Sequence, residues 1–394
     1  MKKTAVLIFN CGSSSIKFAL INPENEKQYI KGLAECLNTP DARIVWQINE
    51  EKNILPLENA NYAQAIESIF LIIDEKTACE IIAVGHRVVH GGEQFSQSVI
   101  ITEEVIDAIR HNIQLAPLHN PANLAGILAV KKQFPTLKQV AVFDTAFHQT
   151  LPEKNYLYPI PLCYYEQYKI RKYGFHGISH KFIVQQAALR INKPLQSCQF
   201  ITAHLGNGAS VAASIGGKSI DTSMGFTPLA GLMMGTRSGD IDPGIHAFLC
   251  EKENKSVDEI TQALNKASGL LGISECSMDM RTLSTEAKNG NTKAQLAIDM
   301  FCDRLAKIIA AQAMNLQRID ALIFTGGIGE NDIQVRHQVL SQLSLLGFKV
   351  DETLNIVAGA DSDGRISASD STLALVIATN EELLIAKDTF TLMN

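Results

Sequence analysis

The chain has 394 residues, of which 46% are hydrophobic and 19% charged, enough apolar material for two cores on a polar surface. A net charge of −6 excludes the broad basic face that a nucleic-acid or anionic-membrane partner would need, so positive charge is to be sought locally, in a cleft. The eight cysteines, Cys11, Cys36, Cys79, Cys163, Cys198, Cys250, Cys276 and Cys302, show neither Cys-x-x-Cys nor zinc spacing; they read as mostly buried thiols of a reduced, cytoplasmic protein.

Met1-Lys2-Lys3 precedes an apolar run, but residues 5–9 are too few for a signal-peptide core, and no run is long enough to span a bilayer. Residues 6–21 read as strand, polar turn and strand. The turn holds Asn10, Gly12, Ser13, Ser14, Ser15 and Lys17, whose hydroxyl, amide and ammonium donors suit phosphate. An ordinary hairpin with a polar turn reads equally well from this stretch alone. Residues 200–215 repeat the shape, with Gly206 falling on Gly12 about half a chain length later. Two such hairpins, one opening each half, point to a duplicated fold with a nucleotide held between the halves.

Residues 28–35 and 42–48 read as further strands, with Trp46 packing, and residues 60–75 as a helix. Residues 80–89 form a strand ending in a Gly91-Gly92 turn. His86 and His90 are four apart, a metal spacing on a helix, but the β-branched run argues strand. Arg87 stands at that strand's end, placed either to meet a ligand or to make a structural ion pair. Residues 102–112 are a helix capped by Thr102, with Glu103 and Glu104 favouring its positive end. Residues 122–134 are the next helix, and strand 139–143 delivers Asp144 to its carboxyl end, where α/β sheets bind ligands.

Residues 151–168 read as a connector and Ser179 as the start of a helix to 191. His176, between Gly174 and Gly177, is a site candidate. Residues 221–244 are a long glycine-rich loop carrying Arg237, and loops of this length are usually functional. Residues 268–281 read as another loop, and 291–318 as one amphipathic helix, a candidate dimer surface. Strand 321–325 runs into a Gly326-Gly327-Ile328-Gly329 turn before Asp332 opens a helix. That is a nucleotide-binding arrangement without the lysine of a Walker loop. A strand at 373–378 and a helix capped at Thr379 or Asn380 complete the chain, with Glu381 suited to the helix dipole.

Seven segments together, 10–17, 85–92, 143–148, 173–177, 204–208, 234–240 and 327–331, resemble the acetate and propionate kinase family nearly end to end. The departures are slight: Cys11 and Gly326 stand where alanine is frequent. The resemblance implies an α/β, duplicated two-lobe fold of the ribonuclease-H-like, actin-like ATPase type, with the active site in the interlobe cleft. It implies a first lobe of residues 1–148 plus 382–394 and a second of 149–381. It implies reversible phosphoryl transfer between ATP and acetate (alternatively propionate), giving acetyl phosphate and ADP with Mg²⁺ or Mn²⁺, in a homodimer.

Carried over by position, Asn10 and Glu381 would serve the metal and Lys17 the ATP phosphates. Arg87 would hold the carboxylate, with Val89, Leu118, Phe175 and Pro228 forming the methyl pocket. Asp144, His176 and Arg237 would be catalytic. The nucleotide would lie along His204, Leu205, Gly206, Asn207 and Gly208, along Asp279, Met280 and Arg281, and along Gly327, Ile328, Gly329, Glu330 and Asn331. The chemistry fits these residue types independently. Two anions must approach, which calls for fixed cations and positioning. The acceptor carboxylate is already ionised at neutral pH, so no strong base is required and Asp144 is expected to orient its neighbours. An ATPase driving a protein partner, the rival reading, would turn over ATP without a small acid.

Overall fold

The computed structural model describes residues 3–394; the basic start at Met1 and Lys2 lies outside the described residues. The chain divides into two compact units, residues 3–149 with Asn380–Asn394, and Thr150–Thr379.

In the first unit, β1 (Lys3–Cys11), β2 (Ile16–Ile21), β3 (Gln28–Glu35), β4 (Arg43–Ile48) and β5 (Glu51–Pro56) are joined by hairpins. Then come α1 (Tyr62–Lys76), β6 (Cys79–Val88), β7 (Val99–Ile100), α2 (Glu103–His111), α3 (Asn120–Gln133) and β8 (Gln139–Phe143). They build an eight-stranded sheet of order β5-β4-β3-β2-β1-β6-β8-β7. β1 alternates no polar residues because both its faces are covered: Ala5 to Phe9 are all buried. Thr102 caps α2 through the Val105 N–H, and Trp46 is buried, as their sequence contexts predict.

The second unit opens with α4 (Glu153–Tyr156) and α5 (Cys163–Tyr168), two short helices in the stretch that reads as a connector. α6 (Gly177–Arg190), β9 (Gln199–Leu205), β10 (Ala209–Ile215) and β11 (Lys218–Thr222) follow. Next are α7 (Gly244–Glu253), α8 (Val257–Lys266), α9 (Gly269–Ser274), α10 (Met280–Lys288) and α11 (Thr292–Ala313). β12 (Ala321–Thr325), α12 (Gly326–Asn331), α13 (Ile333–Gln342), α14 (Glu352–Ile356) and β13 (Ala374–Val376) close the unit. The chain then supplies α15 (Glu381–Met393) to the first unit.

The second sheet runs β11-β10-β9-β12-β13. In both sheets a central strand (β1, β9) pairs antiparallel with its hairpin mate and parallel with a later strand (β6, β12). A second parallel strand (β8, β13) lies beyond it. The five-strand order β3-β2-β1-β6-β8 is therefore reproduced, and the duplication extends well past the hairpins. The copy is not uniform. The first turn closes Cys11 on Ile16, the second Leu205 on Ala209, one residue shorter and without the serines.

Several sequence expectations are corrected. α6 begins at Gly177, not Ser179, because His176 takes a left-handed conformation (φ 55°) and ends the preceding segment. The loop expected at 268–281 contains α9 and leads into α10, which Asp279 caps. The 326–331 turn is a helical turn. The apolar face of α11 is used inside the unit, where Ile298, Phe301, Leu305 and Ile309 are buried, so that face is no dimer surface. Four of the cysteines are buried; Cys36, Cys163 and Cys276 are exposed and Cys250 is half-buried. No described helix is long and apolar enough to cross a membrane.

Candidate active site

In the first unit the ladder between β1 and β6 runs to the Phe9–His86 pair. Just past it the side chains of Asn10 and Arg87 meet, with Arg87 Nη1 donating to Asn10 Oδ1 at 3.2 Å. Asp144, one residue beyond β8, receives the other side of the guanidinium. Arg87 Nε lies 3.2 and 3.1 Å from its two oxygens and Nη2 lies 2.5 Å from Oδ2. Glu381, at the start of α15, stands 4.0 Å from Arg87 Nε. Lys17, opposite Asn10 in the β1–β2 register, pairs with Glu382.

Burial alone would lower the Arg87 pKa, but Asp144 and then Glu381 outweigh it, and the guanidinium is held charged above its ordinary range. Glu381 is the opposite case. Burial pushes its carboxyl up to about 7; Arg87 opposes that rise, and Asp144 and Glu382 add to it. Three carboxylates thus share two cations, and a further cation beside Glu381 would relieve the imbalance.

An oxygen-donor metal fits these residues: the Glu381 carboxylate and the Asn10 carbonyl are hard ligands. Among the described residues no three His, Cys, Asp or Glu side chains converge as a ready-made metal cage. Such an ion would therefore take most of its shell from water and phosphate, the usual habit of Mg²⁺.

His86 and His90 are buried and form no metal pair. His86 Nε2 lies 2.7 Å from the Gln139 amide. With that amide turned so its NH₂ donates to His86 and to the Ile127 carbonyl, its oxygen accepts from the Lys131 N–H, and the ring is held neutral. Burial lowers both histidines to about 4. Val89 is buried, whereas Leu118 is 69% exposed on the loop before α3.

In the second unit His176 Nδ1 lies 2.9 Å from Ser210 Oγ, and its ring is 4.4 Å from that of His204. Gly208 is where His176 and Arg237 converge: a Cβ there would stand 3.3 Å from both His176 Nε2 and Arg237 Nη1. Arg237 donates to the Pro228 carbonyl at 3.2 Å, and burial lowers its pKa. Its turn is sewn to α9. The N–H groups of Ser268, Leu270 and Leu271 donate to the carbonyls of Thr236, Met234 and Gly235. Gly269 permits this approach, at φ +61° and with no room for a Cβ beside the Met234 carbonyl. Phe175 is buried beside His176 in sequence.

The remaining expected residues of this unit divide by exposure. Gly327 faces open space, and Asn207 is exposed at the tip of the second hairpin. Leu205, Met280 and Gly329 are buried, while Gly206 and Ile328 are half-buried. Asp279 caps α10 and pairs with the exposed Arg281, which holds its carboxyl low, at about 2. The Glu330 carboxylate is taken up locally, accepting from the N–H groups of Gly326 (2.8 Å) and Thr379 (3.2 Å). Asn331 donates to the Gly327 carbonyl. Ser179, expected as a cap, instead links His204 Nδ1 to Thr379 Oγ1, each at 2.8 Å.

Sequence reasoning missed Asn120, Asn123 and Gly126, which share one face of α3 and touch the strand ends that carry the site. The signal was their spacing of three, which places polar and small residues among Leu124, Ile127 and Val130 on the buried side.

Two like sheets, a guanidinium–carboxylate cluster in the first unit and a guanidinium–imidazole cluster in the second fit a phosphotransferase. Residues 5–387 match the model of the acetokinase family. Acetate kinases of Proteus mirabilis and Thermoanaerobacterium thermosaccharolyticum are 50% and 51% identical, each alignment covering 98% of both chains. The crystal structure of Porphyromonas gingivalis acetate kinase superposes with a TM-score of 0.94 at 42% identity, covering 99% of this chain and 100% of that one. A propionate kinase from Francisella tularensis gives 0.93 at 47% identity, with the same coverage. The chain belongs to the acetokinase family, kinases that transfer a phosphoryl group to a carboxyl acceptor.

Proposed function

We propose that this enzyme transfers the γ-phosphoryl of ATP reversibly and in line to acetate, giving acetyl phosphate and ADP. The observation that carries the reading is Arg87, a guanidinium hydrogen-bonded at a strand end to Asp144 and Asn10 and held charged by Asp144 and Glu381. Its flat fork is suited to gripping a carboxylate. Relatives named acetate kinase at about half identity over the whole chain support acetate as acceptor.

In this reading Arg87 holds the acceptor, and Asp144 fixes the guanidinium rather than abstracting a proton, because an acetate has none to lose. His176 and Arg237 stabilise charge on the moving phosphoryl. Val89, Leu118, Phe175 and Pro228 surround the methyl group. Lys17, the turn at Gly206–Gly208, the 279–281 segment and the Gly327–Asn331 turn hold the nucleotide, with Glu330 shaping that last turn. Asn10 and Glu381 hold Mg²⁺, or Mn²⁺ in its place, which when bound neutralises phosphate charge. We place the enzyme in the cytoplasm as a homodimer, for which the exposed Ile245, Phe248 and Val257 on α7 and α8 offer an apolar surface.

Propionate is the second reading, favoured by the Francisella tularensis neighbour. One methylene changes selectivity by only ~1–3 kcal/mol in an apolar pocket. Coupled assays with acetate, propionate, butyrate and no acid decide among them. The highest kcat/KM with acetate is expected; a propionate maximum would transfer the assignment, and turnover without acid would replace it with an ATPase.

A further inference from the structure

We infer that Asn123 is a positioning residue: from α3 it fixes the spacing between the strand end that carries Asn10 and the one that carries Arg87. The inference rests on the kinase reading for its consequence, though not for its geometry.

The β1–β6 ladder stops at Phe9 and His86, so the strands leave their mutual hydrogen bonding just before the residues that matter. One side chain then spans the gap. Asn123 Nδ2 donates to the Cys11 carbonyl at 2.8 Å, and its Oδ1 accepts from the Val89 N–H at 3.0 Å. Cys11 is the neighbour of Asn10, and Val89 is two residues past Arg87. The amide is buried, at 2% exposure, and both of its ends are used.

Only a group with a donor at one end and an acceptor at the other can do this. An ionised aspartate accepts twice and repels the Cys11 carbonyl; a leucine of similar size leaves both backbone groups unmet in a dry site. α3 is seated close enough for this contact by Gly126, where a Cβ would come within 2.5 Å of Cys11 Sγ. What Asn123 holds in register is the 3.2 Å contact of Arg87 with Asn10, between the residue proposed for the acceptor and one proposed for the metal.

The same helix supplies its own control. Asn120, one turn earlier and fully buried, also uses both ends of its amide, on the N–H and carbonyl of His90, and neither of these hydrogen bonds reaches β1. Asn120→Leu and Asn123→Leu therefore remove equivalent buried hydrogen bonds, and only the second loosens the Asn10–Arg87 spacing.

The test compares Asn123→Leu, the isosteric Asn123→Asp and Asn120→Leu in the full-length enzyme, reading Tm, the KM values of acetate and ATP, and kcat. Both Asn123 variants are expected to lose roughly 10–100-fold in kcat/KM for acetate, as supporting residues around reactive groups do. Their KM for ATP should stay near the wild-type value. Asn120→Leu should fall as far in Tm and keep its acetate constants. Equal acetate losses in all three variants, or none in the Asn123 variants, would overturn the assignment. If Asn123→Leu does not fold, Asn123→Asp carries the comparison. A crystal structure of Asn123→Asp gives a readout independent of activity. The Arg87–Asn10 contact should open beyond hydrogen-bond distance, and an unchanged contact overturns the inference even if the wild-type enzyme proves to use another acid.

Discussion

Arg87 shows how a single residue type decides a site. Its guanidinium meets Asp144 through Nε and Nη2 and Asn10 through Nη1, a division of labour an ammonium cannot reproduce. Arg87→Lys is therefore expected to raise the KM of acetate sharply; an acetate KM near the wild-type value would remove Arg87 from the acceptor site. Asp144→Asn should raise the acetate KM and the metal requirement together, because it releases Arg87. A loss confined to kcat, with both unchanged, would mark Asp144 as a proton acceptor instead. Arg237→Ala should cost about 3 kcal/mol in kcat/KM, the scale of losing a strong donor to a developing charge.

His86 makes a pH prediction at the same scale. Its folded pKa of about 4 lies below the ordinary value of 6.5, so the unfolded chain binds the extra proton first. Stability is complete above about pH 6.5 and drains away as pH falls toward 4, by roughly 3 kcal/mol in all. Urea titrations between pH 7 and 4.5 should show this slope in the wild type and a slope shallower by about one proton in His86→Gln.

Among elements, α15 carries Glu381 and Glu382 to the first sheet, and its seat on β6 is cut by Gly85. A Cβ there would stand 2.6 Å from both Ile385 Cγ2 and Thr389 Oγ1. Gly85→Ala should destabilise by about 1–3 kcal/mol through overpacking and lower kcat/KM as the helix start shifts. Calorimetry and kinetics on the same preparation would check both effects.

Elements with strong local signals were legible in the sequence: the Thr102 cap, the apolar runs of β1, β8 and β12, and the two hairpins. β5 was not, because Glu51–Pro56 is an exposed edge strand with no alternation, held by backbone pairing to β4. The start of α6 was not, because the left-handed His176, and not the cap-forming Ser179, precedes its first turn. The spacing of three in α3 marks Asn120, Asn123 and Gly126 as one face, but the backbone groups those asparagines bind lie on other segments and cannot be read from it. The Arg87–Asp144–Glu381 cluster joins residues remote in sequence, so spacing could not reveal it; strand-end position singled out Arg87 and Asp144, the family resemblance added Glu381, and the geometry supplies their pairings.

For the whole molecule, the second unit repeats the sheet order of the first, and the chain passes between units twice, near residues 149–150 and 379–380. Each passage is a single backbone segment. If ATP and acetate are held by both units, X-ray scattering with a non-hydrolysable ATP analogue plus acetate should give a smaller radius of gyration than the free enzyme. An unchanged radius would count against closure. Direct transfer further requires inversion at a chiral γ-phosphorus, and retention would require a phosphorylated enzyme.

The split of the first unit around the second also sets an order of assembly on the ribosome. The β1–β8 portion, which carries both Arg87 and Asp144, emerges early, while Glu381 follows about 230 residues later, roughly 10–50 seconds at ordinary rates of translation. Until α15 is made, β6 at Gly85 lacks the Ile385 and Thr389 side chains that pack on it in the folded unit. On the proposed assignment, a chain that lacks α15 lacks Glu381, one of the two residues proposed to hold the metal.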